Sequence, residues 1–129
     1  MALETDNLLH DYNTDTCLQL GGILPEPRTP GENQFLNNMG TDTFLLGMND
    51  RETEGTWVWN SDGTPVRWFN WYDPPSGGTI KNCAIMLRTL GNVGPEWLDL
   101  KCGYEYDFPI SLICQKGMCF SVVSIFPSE

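Results

Sequence analysis

Five cysteines in a chain of 129 residues constrain its fold more than any other feature of the sequence. So short a chain with that many thiols either closes disulfides or holds a metal. A metal site needs clustered Cys or Cys/His ligands. The one closely spaced pair, Cys114 and Cys119, has neither a second cluster nor a histidine beside it. Disulfides in an oxidising, secreted or extracellular setting are therefore expected. Four cysteines pair in three ways, spacing alone does not choose among them, and the odd cysteine is left free or bonded to another chain.

The length and a 40% hydrophobic content suffice for one compact domain with its own core, and leave no room for a second. The 17 acidic and 7 basic residues give a formal charge of −10, which opposes the phosphate neutralisation that nucleic-acid binding requires. No apolar run reaches the length of a membrane span. The first residues lack the basic, apolar and small-residue pattern of a secretory leader, so either the leader is absent from this sequence or Met1 is an expression start.

Leu8, Leu9, Tyr12 and Leu20 recur at near-helical spacing around Cys17, and Gly21-Gly22 follows, which predicts a helix over Asp6 to Leu20 with those residues on its apolar face. Thr29-Pro30-Gly31-Glu32 combines an N-cap, a first-turn proline and a glutamate three residues after the cap. A second helix follows, with Phe35, Leu36 and Met39 as its apolar face and Gly40 as its stop. Short strands are expected over Thr43 to Met48, Thr56 to Trp59, Cys83 to Leu87 and Ser111 to Cys114. Asn60-Ser61-Asp62-Gly63 reads as a hairpin turn; the glutamate that would close a calcium loop of that type is missing. Between Asn70 and Asn82 the Pro- and Gly-rich stretch has no periodicity and reads as a long loop, the place where function tends to sit in a small domain. Helices followed by a meander of short strands define an α+β class.

The residues themselves then become recognisable. Cys17-Leu18-Gln19-Leu20-Gly21-Gly22-Ile23-Leu24, Phe44-Leu45-Leu46-Gly47, Glu54-Gly55-Thr56-Trp57-Val58-Trp59, Asp62-Gly63-Thr64-Pro65, Asn70-Trp71, Trp97-Leu98-Asp99-Leu100-Lys101-Cys102 and Leu112-Ile113-Cys114-Gln115 follow one another in order. Together they resemble the short form of the C-type lectin-like domain, the E-G-x-W-x-W run without a substitution. The resemblance places the domain over residues 1–116 and leaves 117–129 as a tail outside it. It implies two helices packed on short antiparallel sheets with a long irregular loop, and disulfides joining Cys17 to Cys114 and Cys83 to Cys102. Cys119 and the apolar residues of the tail, Val122, Val123, Ile125 and Phe126, are then candidates for dimer formation or for covering a surface.

In sugar-binding members of that family calcium is held by a Glu/Gln-Pro-Asn/Asp triplet in the long loop, by a glutamate two residues before the next framework cysteine, and by the Asn-Asp of W-N-D. Calcium wants six to eight hard oxygens. Here the triplet falls on Asp73-Pro74-Pro75 or Pro74-Pro75-Ser76, Lys81 takes the place of the glutamate, and Leu98 that of the amide, so that only Asp99 is kept. The usual sugar-bound calcium is not expected. The ligand-binding region by this resemblance comprises Asp73, Pro74, Pro75, Ser76, Lys81, Asn82, Trp97, Leu98 and Asp99. Asp50 and Glu54 match two ligands of an auxiliary calcium site, although Glu54 is more often a structural residue of its motif. Trp57, Trp59, Trp68 and Trp71 are expected in the core rather than on a sugar-stacking shelf.

Catalysis needs a base with a nucleophile or a metal centre, and the chain holds one histidine, His10. His10 with Asp6 one turn earlier would make at most a weak zinc site, and a solvated helix residue is the plainer reading. No cofactor is required. The expected function is extracellular recognition without catalysis: of glycans, microbial surface sugars among them, by a calcium-independent route, or alternatively of a protein partner through the same loop surface.

Overall fold

The computed structural model describes residues 8–39, 43–75, 80–87, 96–103, 111–117 and 119–123, with side chains for all of these except 8–10 and 119–123. Helix α1 (Leu8–Gln19) lies within the expected bounds. It ends in a Schellman turn: Gly22 N–H donates to the Cys17 carbonyl (2.8 Å) and Gly21 N–H to that of Leu18 (3.0 Å). Gly21 has φ of 88°, the left-handed value that favours glycine, and a Cβ on Gly22 would lie 2.6 Å from the Gln115 carbonyl oxygen. Of the expected apolar face, Tyr12 and Leu20 are exposed, and the side chains of Leu8 and Leu9 lie outside the described residues. The helix turns Asn13 and Cys17 inward, the latter held by its disulfide.

Helix α2 (Pro30–Asn37) is capped by Thr29, whose Oγ1 accepts from Glu32 N–H at 3.1 Å. The Glu32 carboxylate returns to Arg28 N–H at 2.8 Å, one residue upstream of a standard capping box. Leu36 is buried as expected and Met39 packs against the core, but Phe35 is more than half exposed and Asn33 occupies the inward position.

A four-stranded antiparallel sheet, ordered β2-β1-β3-β4, is built from β1 (Phe44–Asn49), β2 (Val58–Trp59), β3 (Cys83–Met86) and β4 (Trp97–Leu100). Alternation along its strands divides the core in two. Phe44, Leu46, Met48, Ala84, Met86 and Trp97 face Leu36 of α2, Trp57 and Trp59. Leu45, Ile85 and Leu100 face the opposite way, into a cluster with Cys17, Leu24, Leu112 and Cys114.

The expected hairpin is present. Trp59 N–H donates to the Thr64 carbonyl and Gly63 N–H to that of Trp59, with Gly63 at φ 72°. Asp62 Oδ1 accepts from Thr64 N–H (3.0 Å) and Oγ1 (2.7 Å), a side-chain turn of the kind that made this tetrapeptide legible. Glu26, almost wholly buried, accepts from Ser61 N–H and Oγ and from Arg28, so that the strap after α1 is tied to the same turn.

The last described strands, β5 (Leu112–Lys116) and β6 (Cys119–Val123), pair antiparallel about Gly117, and Ile23 bridges to Gln115 on the other side of β5. Part of the 117–129 tail therefore belongs to the sheet structure, which composition had not indicated. Both disulfides have the pairing implied by the resemblance, Cys17–Cys114 and Cys83–Cys102.

Candidate functional site

The chain leaves β1 at Asp50 and turns sharply to Gly55, whose φ of 86° suits glycine. Asp50 Oδ2 accepts from Gly55 N–H at 2.8 Å, and Asp50 N–H donates to the Asn82 carbonyl at 3.2 Å. This turn draws Asp50 inward until only 2% of it is exposed. Its second oxygen, Oδ1, is buried and has no hydrogen-bond partner among the described residues. The loop is moored to α1 by Arg51, paired with Asp11 at 3.1 Å.

The start of the long loop is held by β4. Trp97 N–H donates to the Asn70 carbonyl (2.9 Å) and Tyr72 N–H to that of Trp97 (2.8 Å). Trp97 stands beneath, fully buried, with its indole N–H on Asn33 Oδ1 at 2.8 Å. Around it the aromatics pack edge to face, Trp68 at 5.5 Å and Trp71 at 5.9 Å between centroids, while Phe69 stacks on Trp71 at 5.9 Å with 18° between planes. Trp57 meets Trp71 edge-on at 5.1 Å. Trp57 and Trp59 are buried and Trp68 and Trp71 partly so, as expected of core tryptophans.

These two loops enclose an open cleft of about 400 Å³. Asp50, Glu54 and Gly55 form one wall, Trp57, Phe69 and Trp71 another, and Pro74 and Pro75 close it. Partial loss of water, then the nearby Asp50 carboxylate, then the charge of Asp99, push the Glu54 carboxyl above its ordinary range. Burial likewise raises Asp99; Lys81 opposes that shift, and Asp50 and Asp73 add to it. Asp50, Glu54, Asp73, Lys81 and Asp99 thus share one electrostatic neighbourhood.

The expected site residues divide accordingly. Pro74 and Pro75 line the cleft, and Asp73, Lys81 and Asp99 act on its charge. Asn82 contributes its backbone carbonyl to Asp50. Trp97 has no surface to offer a ligand and instead supports the aromatic wall, a correction to its expected role. Leu98, partly buried, packs on the apolar cluster behind the sheet. Ser76 and Asp6 lie outside the described residues, as does the side chain of His10. Sequence reasoning overlooked Phe69 and Gly55 as wall residues; the aromatic density from Trp68 to Tyr72 was the available signal for the first.

Lys81 sets its ammonium in the field of Asp99, Leu98 is turned away, and calcium needs six to eight oxygens on one point. Asp50, Glu54 and Asp99 do not close on a common point: no three Asp, Glu, His or Cys side chains among the described residues do so.

Residues 11–116 match the lectin C-type domain family, and the chain belongs to it. It is 33% identical over 108 residues to a C-type lectin domain family 3 member A homolog of Xenopus laevis, covering 79% of this chain and 53% of that protein. Against tetranectin of Homo sapiens the identity is 30% over 128 residues, covering 92% of this chain and 59% of that one. The chain therefore spans somewhat more than half the length of these relatives. Among solved structures, a calcium-independent type II antifreeze protein superposes with a TM-score of 0.62 at 26% identity, over 71% of this chain and 68% of that chain. Among the described residues no helix is long and apolar enough to cross a membrane, and the two disulfides fit an extracellular protein.

Proposed function

We propose that this domain is a non-enzymatic recognition module of a secreted protein that binds glycans, microbial surface sugars among them, in the long-loop cleft without a calcium bridge. The observation that carries the reading is the make-up of the cleft: the carboxylates of Asp50 and Glu54 line the same space of about 400 Å³ as the exposed ring of Phe69 and the partly buried Trp71, with Trp57 buried behind them. Carboxylate oxygens accept sugar hydroxyls and aromatic faces cover the apolar C–H surface of a pyranose, in a volume usual for small-ligand sites. The likeness to an antifreeze protein described as calcium-independent supports a version of the fold that works without the ion. A glycan array probed with calcium, with zinc and with chelator tests the reading: glycan binding that survives chelator supports it, and binding that needs a divalent ion counts against it.

A second reading, recognition of a protein, is favoured by the exposure of Tyr72 and Ile80, large apolar side chains within the long loop. Its signature is an array without hits alongside capture of a protein partner that is lost on Tyr72→Ser substitution.

A further inference from the structure

We infer that the cleft selects glycans bearing a free ammonium, that is, hexosamine units with unacetylated amines. The inference rests on the cleft being the glycan site and concerns what that site discriminates.

Asp50 lies in the wall of the cleft, 98% removed from solvent, with Oδ1 lacking a hydrogen-bond partner among the described residues. Glu54 stands in the same wall close to it, and Asp73 and Asp99 add negative charge nearby against the single ammonium of Lys81. A carboxylate oxygen withdrawn from water and left unmet is costly, and two carboxylates side by side add repulsion. A neutral sugar hydroxyl would supply the missing hydrogen bond and leave the charges as they are. An ammonium supplies both: up to three donors for Asp50 and Glu54, and a positive charge between them. Trp57, Trp71 and Phe69 complete the other wall, and aromatic faces attract a desolvated cation as well as the C–H face of the ring that carries it. A divalent metal would answer the same charge but needs a converging oxygen set that the described residues do not provide. A lysine side chain from a protein would answer it too, and the titration includes one; the aromatic lining that could cover the C–H face of a ring favours the amino sugar.

The test titrates the protein, in chelator, with a glucosamine tetramer and with its fully N-acetylated counterpart, following tryptophan fluorescence. The tetramer with free amines is expected to bind at least tenfold more tightly, and Glu54→Gln to remove most of that preference. Asp50→Asn is the stronger perturbation, but its burial puts folding at risk, so Glu54→Gln decides. Equal or tighter binding of the acetylated tetramer overturns the inference and leaves the glycan reading standing. A preference for the free amine that Glu54→Gln leaves intact overturns it by placing the ammonium elsewhere. Binding of Nα-acetyl-lysine amide with neither tetramer bound overturns both readings in favour of a protein ligand.

Discussion

The indole N–H of Trp97 donates to Asn33 Oδ1 at 2.8 Å, with both side chains buried, so that helix α2 is pinned to the strand that underlies the cleft. Removing one partner of a buried hydrogen bond leaves the other unsatisfied at a cost of about 1–3 kcal/mol. Asn33→Ala is expected to lower unfolding stability by about that amount in urea titrations. Trp97 supports Trp71, so the same substitution should also loosen the aromatic wall and red-shift the tryptophan emission.

Cys17 and Cys114 are 97 residues apart and Cys83 and Cys102 are 19 apart. In the chain-entropy account the longer closure contributes about 4–5 kcal/mol and the shorter about 3 kcal/mol. Replacing the Cys17–Cys114 pair with alanines is expected to lower the thermal midpoint more than replacing the other pair, as calorimetry would measure.

Stability should respond to pH in two opposite ways. Glu54 and Asp99 have carboxyls raised above their ordinary range, first by loss of water and then, for Glu54, by Asp50. A raised carboxyl adds stability that is full below its unfolded pKa and is lost as pH rises through its folded value. Asp62 is lowered, chiefly by hydrogen bonds from Thr64 and further by Arg28; its contribution is full above the unfolded pKa and is lost as pH falls through the depressed one. Glu54→Gln should therefore raise the thermal midpoint near neutrality, with the gain fading in acid where Glu54 is already protonated. Asp62→Ala should lower it near neutrality, with a smaller loss in acid. Thermal melts across pH check both signs.

Millimolar calcium should change stability by less than about 0.4 kcal/mol, the amount supplied when the ligand concentration only equals the dissociation constant. The basis is the neighbourhood of Asp99, where Lys81 brings a positive charge and Leu98 packs away behind the sheet. Parallel melts with calcium and with chelator measure it.

The legible parts of the sequence were those in which local chemistry decides structure. Thr29 at the cap of α2, the Asp62-Gly63 turn and the glycine pair after α1 each carry a backbone requirement in the residue itself. The disulfide pairing came through the family resemblance, not through spacing. Helix rotation was not legible. Tyr12 and Phe35 look like core residues by periodicity, but Cys17 and Asn33 turn inward because their partners, Cys114 and Trp97, lie far along the chain. Strand β6 escaped notice because its pairing with β5 is a tertiary fact. The acidic wall was only half legible: Asp50 and Glu54 were marked by their motif, whereas the burial of Asp50 depends on the turn to Gly55 and its closeness to Phe69 and Trp71 on the fold.

Phe69 stacks on Trp71, lines the cleft and keeps 39% of its surface exposed, so removing its ring alters the cleft more than the core. The decisive measurement is a calorimetric titration, in chelator, of the glycan bound most tightly on the array, using the native chain and Phe69→Ala. Heat of binding that persists without divalent ions and an affinity at least tenfold weaker in the variant are the predicted results. Binding that appears only when calcium is restored, or that ignores the loss of the phenyl ring, would contradict the assignment of this cleft as an ion-free recognition site.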